Sequence, residues 1–136
     1  MRIARLWAAA LATLAVAAAP QEIVHTKDSL DTVKAGLARK EALLVDVREK
    51  SEWEDGHLEG ALFLPLSWLK EGATDDQFAA KLAEKLPQKT VLYTHCRSGK
   101  RTLTAAAILK KYGYDVRPLK QGFDDLRNAG FPSASK

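Results

Sequence analysis

The sequence predicts an α/β domain: a mostly parallel sheet of about five strands with helices on both faces. Two patterns carry that expectation. ALLVDV (42–47) and TVLYTH (90–95) are compact apolar runs of strand length, the kind buried on both faces of a sheet. The segments around them repeat their apolar residues at helical spacing, and the connections are short. No internal repeat or linker interrupts the alternation, so one domain over residues 22–132 is expected.

Each element has its own signal. EIVHT (22–26) reads as a short first strand. Residues 28–39 carry Leu30, Val33 and Leu37 on one helical face, with acids in the first turn and a basic end that suits the helix dipole. ALLVDV follows as a strand, and 49–55 can form one or two helical turns. Gly56 and Gly60 punctuate a turn before ALFLP (61–65), a further short strand. Asp75 and Asp76 open a helix with Phe78, Leu82 and Leu86 on one face, and Pro87 stops it. TVLYTH is the clearest core strand. An alanine-rich helix then runs from about residue 98 to 112, with Lys110 and Lys111 in its last turn and Gly113 at its cap. DVRPL (115–119) is a final strand, and 123–128 a short closing helix.

The chain has 136 residues, enough for one core without disulfide staples. Its net charge is +4, but the cations and acids are interspersed, which argues against a nucleic-acid stripe. The first twenty residues differ from the rest. Arg2 and Arg5 precede an apolar run (6–16) and then the small residues 17–19, the order of a secretory signal peptide. Residues 1–19 are therefore expected to be a leader cleaved near Ala17–Ala19, and Pro20 disfavours the cut directly after Ala19. The apolar run is short for a membrane span. A periplasmic protein, with no stable membrane association after cleavage, is the expectation, and an uncleaved anchor helix is the rival reading.

Export bears on Cys96, the only cysteine, which has no partner for an internal disulfide. It ends the TVLYTH strand, at the carboxyl edge where open parallel sheets bind ligands. The turn Arg97-Ser98-Gly99-Lys100-Arg101 leads into the next helix, so its backbone N–H groups and the helix dipole form an anion cradle. Gly99 supplies backbone freedom, and Arg97, Lys100 and Arg101 add positive charge. Such surroundings favour a thiolate nucleophile.

Two covalent chemistries suit the cradle: attack on phosphorus, as in a small cysteine phosphatase or arsenate reductase, and attack on sulfane sulfur. Spacing separates them. The phosphatase signature has five residues between cysteine and arginine, whereas four separate Cys96 from Arg101, and Thr102 holds the phosphatase arginine position. The shorter loop encloses a space nearer to one sulfur atom than to a phosphoryl group. A reductase would also need a resolving cysteine.

Three blocks, in order, carry a family resemblance: DVREKSEWEDGHLEGALFLP (46–65), YTHCRSGKR (93–101) and YGYDVRPLKQGFDDLRNAGFP (112–132). They resemble the D-x-R…E…G-H block, C-x-x-G-x-R loop and closing block of a single-domain rhodanese, a thiosulfate sulfurtransferase, and specifically its exported bacterial members of the phage-shock type. The resemblance implies that Cys96 forms the persulfide. It implies that the amides of residues 97–101 surround the transferred sulfur, so that Arg97, Ser98, Gly99, Lys100 and Arg101 bind the donor. Lys100 and Arg101 would hold its sulfonate end. Asp46 and Arg48 match the D-x-R pair, expected to support the loop from behind, with Arg48 pairing with acids or packing. A thiosulfate-like donor and a thiol or cyanide acceptor are implied, with no cofactor, and the chain would be a monomer or weak dimer. Gln121 stands where the family often has glycine and Leu126 where an aromatic is common, which bears on acceptor choice. Rhodanese-like interaction modules typically lack the cysteine retained here.

The remaining candidates have plainer roles. His95 adjoins Cys96, but neighbouring strand residues face opposite sides, so no catalytic Cys–His pair is expected. His57 is expected to fix a turn, and His25 carries no argument. Three scattered histidines and one cysteine do not make metal-ligand spacing, so no metal site is expected. Trp53, Trp68 and Phe123 are expected in packing, with Trp68 able to border the pocket mouth. Asp124 and Asp125 are expected to cap or solvate the closing helix.

Overall fold

The computed structural model describes residues 12, 14, 15 and 22–135. The leader expected over 1–19 therefore falls almost wholly outside the described residues. Ten elements follow in chain order: α1 (Leu30–Ala38), β1 (Ala42–Asp46), α2 (Lys50–Asp55), β2 (Leu62–Phe63), α3 (Leu66–Gly72), α4 (Phe78–Lys85), β3 (Val91–His95), α5 (Arg101–Lys110), β4 (Val116–Pro118) and α6 (Phe123–Asn128).

The strands form one sheet in the order β2-β1-β3-β4, and every pairing is parallel. This is the α/β class that the alternating pattern predicts. The central pair runs from Ala42 opposite Val91 to Asp46 opposite His95, so β1 and β3 end side by side. Alternation along the strands then builds two cores. Val45, Val47, Leu92 and Cys96 face α3, α4 and α5, where they meet Leu69, Phe78, Ala105 and Leu109. Ala42, Leu44 and Tyr93 face α1 and α6, where they meet Val33, Phe123 and Leu126. Ala105 and Ala106 are fully buried, so small side chains let α5 lie close to the sheet.

Two elements differ from the sequence expectation. Residues 22–26 are not a strand, which leaves four strands among the described residues. A single tie replaces the ladder: the Thr26 N–H donates to the Pro118 carbonyl at 2.8 Å. Pro118 has no N–H to return, and proline on an edge strand limits further pairing. Helix α3 is the other difference, lying where only a connection was expected. It starts after Pro65 and buries Leu66 and Leu69, while Trp68 packs on Phe78 with ring centroids 5.0 Å apart.

Candidate active site

The parallel sheet sets Cys96 one residue beyond β3, at the carboxyl end of a central strand. The loop from Arg97 to Lys100 then turns into α5. Its geometry depends on glycine at two places. Gly99 adopts φ +85°, and a Cβ there would stand 2.7 Å from the Lys120 carbonyl oxygen. Gly122 lies against the loop from below, where a Cβ would come within 1.7 Å of the Arg97 carbonyl oxygen. Only glycine permits this approach of two backbones. The Phe123 N–H donates to the Cys96 carbonyl at 2.9 Å, so the β4–α6 connection forms the floor of the loop.

Cys96 has 0 % of its surface exposed in this conformation. The Gly99 N–H donates to its Sγ at 3.1 Å. This is the described loop amide that donates to the sulfur, of the several expected to converge there. The Gly99 carbonyl, on the other side of the residue, accepts from His25 Nε2 at 2.7 Å. Arg97, Ser98 and Lys100 are exposed at the rim.

Arg101 is already engaged. Its two terminal nitrogens donate to Glu52 on α2 at 3.1 and 2.9 Å, and hydrogen bonding to that carboxylate holds the guanidinium above its ordinary pKa. Thr102, at the position a phosphatase would fill with arginine, is fully buried and donates to the Thr94 carbonyl at 2.9 Å.

Asp46 and Arg48 form a second pair under the loop's neighbouring strand. Arg48 Nε lies 3.0 and 3.1 Å from the two carboxylate oxygens, and Nη2 is 2.8 Å from Oδ2. Nη2 also donates to the Gly56 carbonyl at 2.7 Å, and the guanidinium lies 4.1 Å from the Phe123 ring centre. Arg48 thus ties the end of β1 to the turn after α2 and to α6.

His95 faces the Asp46 side of the sheet and Cys96 the α5 side, so the two do not pair. His95 is fully buried, neither ring nitrogen has a hydrogen-bond partner among the described residues, and Nε2 stands 3.8 Å from Asp46 Oδ2. Burial pushes its pKa down, against the opposing pull of Asp46. His57 donates from Nδ1 to the Trp53 carbonyl at 3.0 Å and stacks on the Trp53 ring, fixing the turn after α2. No group of His, Cys, Asp or Glu among the described residues could hold a metal ion. No described helix is long and apolar enough to cross a membrane. A concavity lined by Leu37, Lys40, Leu43 and Pro87 lies at the opposite, amino-terminal end of the strands, away from Cys96.

Sequence reasoning missed two residues of this site. Glu52 was only one letter of a motif, and no local signal joined it to Arg101, 49 residues further on. His25 had no signal at all.

A parallel sheet with a lone cysteine at the end of a central strand, on a turn that opens a helix, defines an α/β domain with a candidate nucleophile loop. The chain belongs to the rhodanese-like domain family, whose profile matches residues 29–129. It is similar to the adenylyltransferase and sulfurtransferase uba4 of Ogataea parapolymorpha, 33 % identical over 92 residues, covering 68 % of this chain and 21 % of that one. It is also similar to the HTH-type transcriptional regulator Rv0324 of Mycobacterium tuberculosis, 30 % identical over 129 residues, covering 90 % of this chain and 51 % of that one. The chain therefore spans about half or less of the length of these curated relatives. Among solved structures, the human single-domain sulfurtransferase TSTD1 superposes with a TM-score of 0.56 at 26 % identity, over 73 % of this chain and 92 % of that one.

Proposed function

We propose that this chain is an exported sulfurtransferase that carries sulfane sulfur as a persulfide on Cys96. The observation that carries this reading is the short loop that lays the Gly99 N–H on Sγ at 3.1 Å while Thr102 sits buried at the phosphatase arginine position. A buried threonine whose hydroxyl serves the Thr94 carbonyl leaves no side chain to grip a phosphoryl group there. Similarity to sulfurtransferases supports the same reaction class.

The reaction runs in two displacements. The Cys96 thiolate attacks the outer sulfur of thiosulfate, the bond between the two donor sulfurs breaks, and sulfite leaves with the electron pair. An acceptor thiolate, or cyanide, then attacks the outer persulfide sulfur, and the Cys96 thiolate departs. Neither step needs a proton from the protein. The Gly99 amide and the positive end of α5 stabilise negative charge on sulfur through both steps. Arg97, Lys100 and Arg101 meet the donor's sulfonate, with Arg101 shared with Glu52. Cys96 has no exposed surface in the resting form, so donor entry requires the rim residues of the loop to part. Asp46 and Arg48 keep the end of β1 and the floor of the site in place.

The leader pattern at residues 1–19 supports export to the periplasm and the phage-shock type. Expression of the full chain in a Gram-negative host, followed by intact mass of the periplasmic fraction, tests this: an uncleaved product found in the cytoplasm would overturn it. For the reaction, purified protein is incubated with thiosulfate and weighed. Gain of one sulfur by the wild type, and none by Cys96→Ser, is the expected result. No gain, with turnover of an aryl phosphate, would establish the phosphatase instead.

A further inference from the structure

The segment before α1 is an extended strap tied down on both sides of His25. Ile23 packs against the core on the α5 side of the sheet. The Thr26 N–H donates to the Pro118 carbonyl at 2.8 Å. The Asp28 carboxylate accepts from the Tyr93 hydroxyl at 2.7 Å and from Arg117 Nη1 at 2.9 Å. These ties lie on the core, on β4 and on β3, so the strap has a fixed position relative to the Cys96 loop.

His25 reaches from the strap to that loop. Its Nε2 lies 2.7 Å from the Gly99 carbonyl oxygen, and a carbonyl only accepts, so the proton is on Nε2 in this contact. Two peptide planes meet at Gly99. One points its N–H at Cys96 Sγ, and the other has its carbonyl held by His25. Glycine restrains these planes least of all residues, so the direction of the amide depends on what grips its neighbours. A Cβ at Gly99 would also approach His25 Nε2 to 3.3 Å, so the imidazole abuts this residue directly.

We propose that His25 is a positioning residue for the Cys96 loop: by holding the Gly99 carbonyl it keeps the Gly99 N–H aimed at the sulfur. The effect on sulfur transfer rests on the function proposed above, whereas the effect on Gly99 itself does not. His25 lies before residues 29–129, which match the family profile, in the segment that precedes α1.

The test compares His25→Ala and His25→Gln with wild type in the full chain, the glutamine amide offering a donor at similar reach. Two quantities are read: hydrogen exchange of the Gly99 amide by NMR, and single-turnover sulfur uptake from saturating thiosulfate by intact mass. In His25→Ala the Gly99 amide exchanges about fivefold faster, the worth of one ordinary hydrogen bond, and uptake slows by a similar factor. Both recover to within about twofold in His25→Gln, a rescue that loss of side-chain volume alone would not produce. Unchanged exchange in His25→Ala, or equal impairment in both variants, overturns the proposal. Faster uptake in His25→Ala would also overturn it, by making the contact a latch over Cys96. Absence of sulfur uptake by wild type would sink the sulfurtransferase function, and exchange at Gly99 would still decide the role of His25.

Discussion

Two bidentate arginine–carboxylate pairs stand beside the Cys96 loop, Asp46–Arg48 and Glu52–Arg101. The first is sealed, with 0 % and 1 % of the side chains exposed; the second is open, with 25 % and 29 % exposed. Burial changes what the same chemistry does. Arg48 cannot leave Asp46 without stranding a charge away from water, so that pair is a fixed strut. Arg101 can exchange Glu52 for water or for an anionic ligand at little cost, so that pair is adjustable. A site that must bind and release an anion needs both a frame that does not move and a cation that can.

The largest expected effect comes from breaking the strut. Arg48→Ala leaves Asp46 charged and buried, frees the Gly56 carbonyl and removes the guanidinium from the Phe123 ring. Loss of one partner from a buried pair costs about 3–5 kcal/mol, a large part of the stability of a domain this size. Urea unfolding should show the midpoint falling by that measure, or no folded protein at all. A loss below about 1 kcal/mol would place the pair in the same class as Glu52–Arg101 and remove the contrast.

Acid should probe the same sealed region more gently. Desolvation holds the His95 pKa below the ordinary histidine value of 6.5, with the Asp46 charge pulling the other way and the Arg48 charge adding to the decrease. The unfolded chain therefore binds a proton at higher pH than the folded one. His95 contributes stability that is present above pH 6.5 and is lost as pH falls from there towards its lower folded value. Asp28, held below its ordinary value by Tyr93 and Arg117, adds a loss at still lower pH. Urea midpoints should decline on acidification from pH 7 to pH 5, and His95→Phe should flatten that slope. An equally steep decline in the variant would show that another group carries it.

How far the sequence revealed this arrangement depends on how local each signal was. The strands β1 and β3 were legible because a parallel strand buried on both faces is a compact apolar run. The loop was legible because its cysteine, glycine and cations are contiguous. Helix α3 was missed because it buries only Leu66 and Leu69, too few positions to establish a period. The strap at 22–26 has strand-like composition, but a strand needs a neighbour with free N–H and carbonyl groups, and Pro118 offers only a carbonyl. Arg101 and Glu52 are 49 residues apart, and His25 and Gly99 are 74 apart. Neither contact leaves a periodic or motif-level trace, so only the folded chain brings them together.

The adjustable pair gives the smallest effect on stability and the most informative one on binding. Arg101→Ala and Glu52→Gln each remove a partly exposed pair worth about 1 kcal/mol, so unfolding midpoints should move little. Their effects on thiosulfate should have opposite signs. Without Arg101 the rim loses one cation, and the half-saturating thiosulfate concentration should rise about three- to tenfold, the equivalent of about 0.7–1.4 kcal/mol. Without the Glu52 charge, Arg101 no longer has an internal competitor for the donor's sulfonate, and half-saturation should fall by up to about fivefold. High salt should shrink both shifts, because the charges are partly in solvent. If the two variants shift half-saturation in the same direction, or both unfold early, Glu52–Arg101 is a second strut. The donor would then be held by Arg97, Lys100 and the loop amides alone.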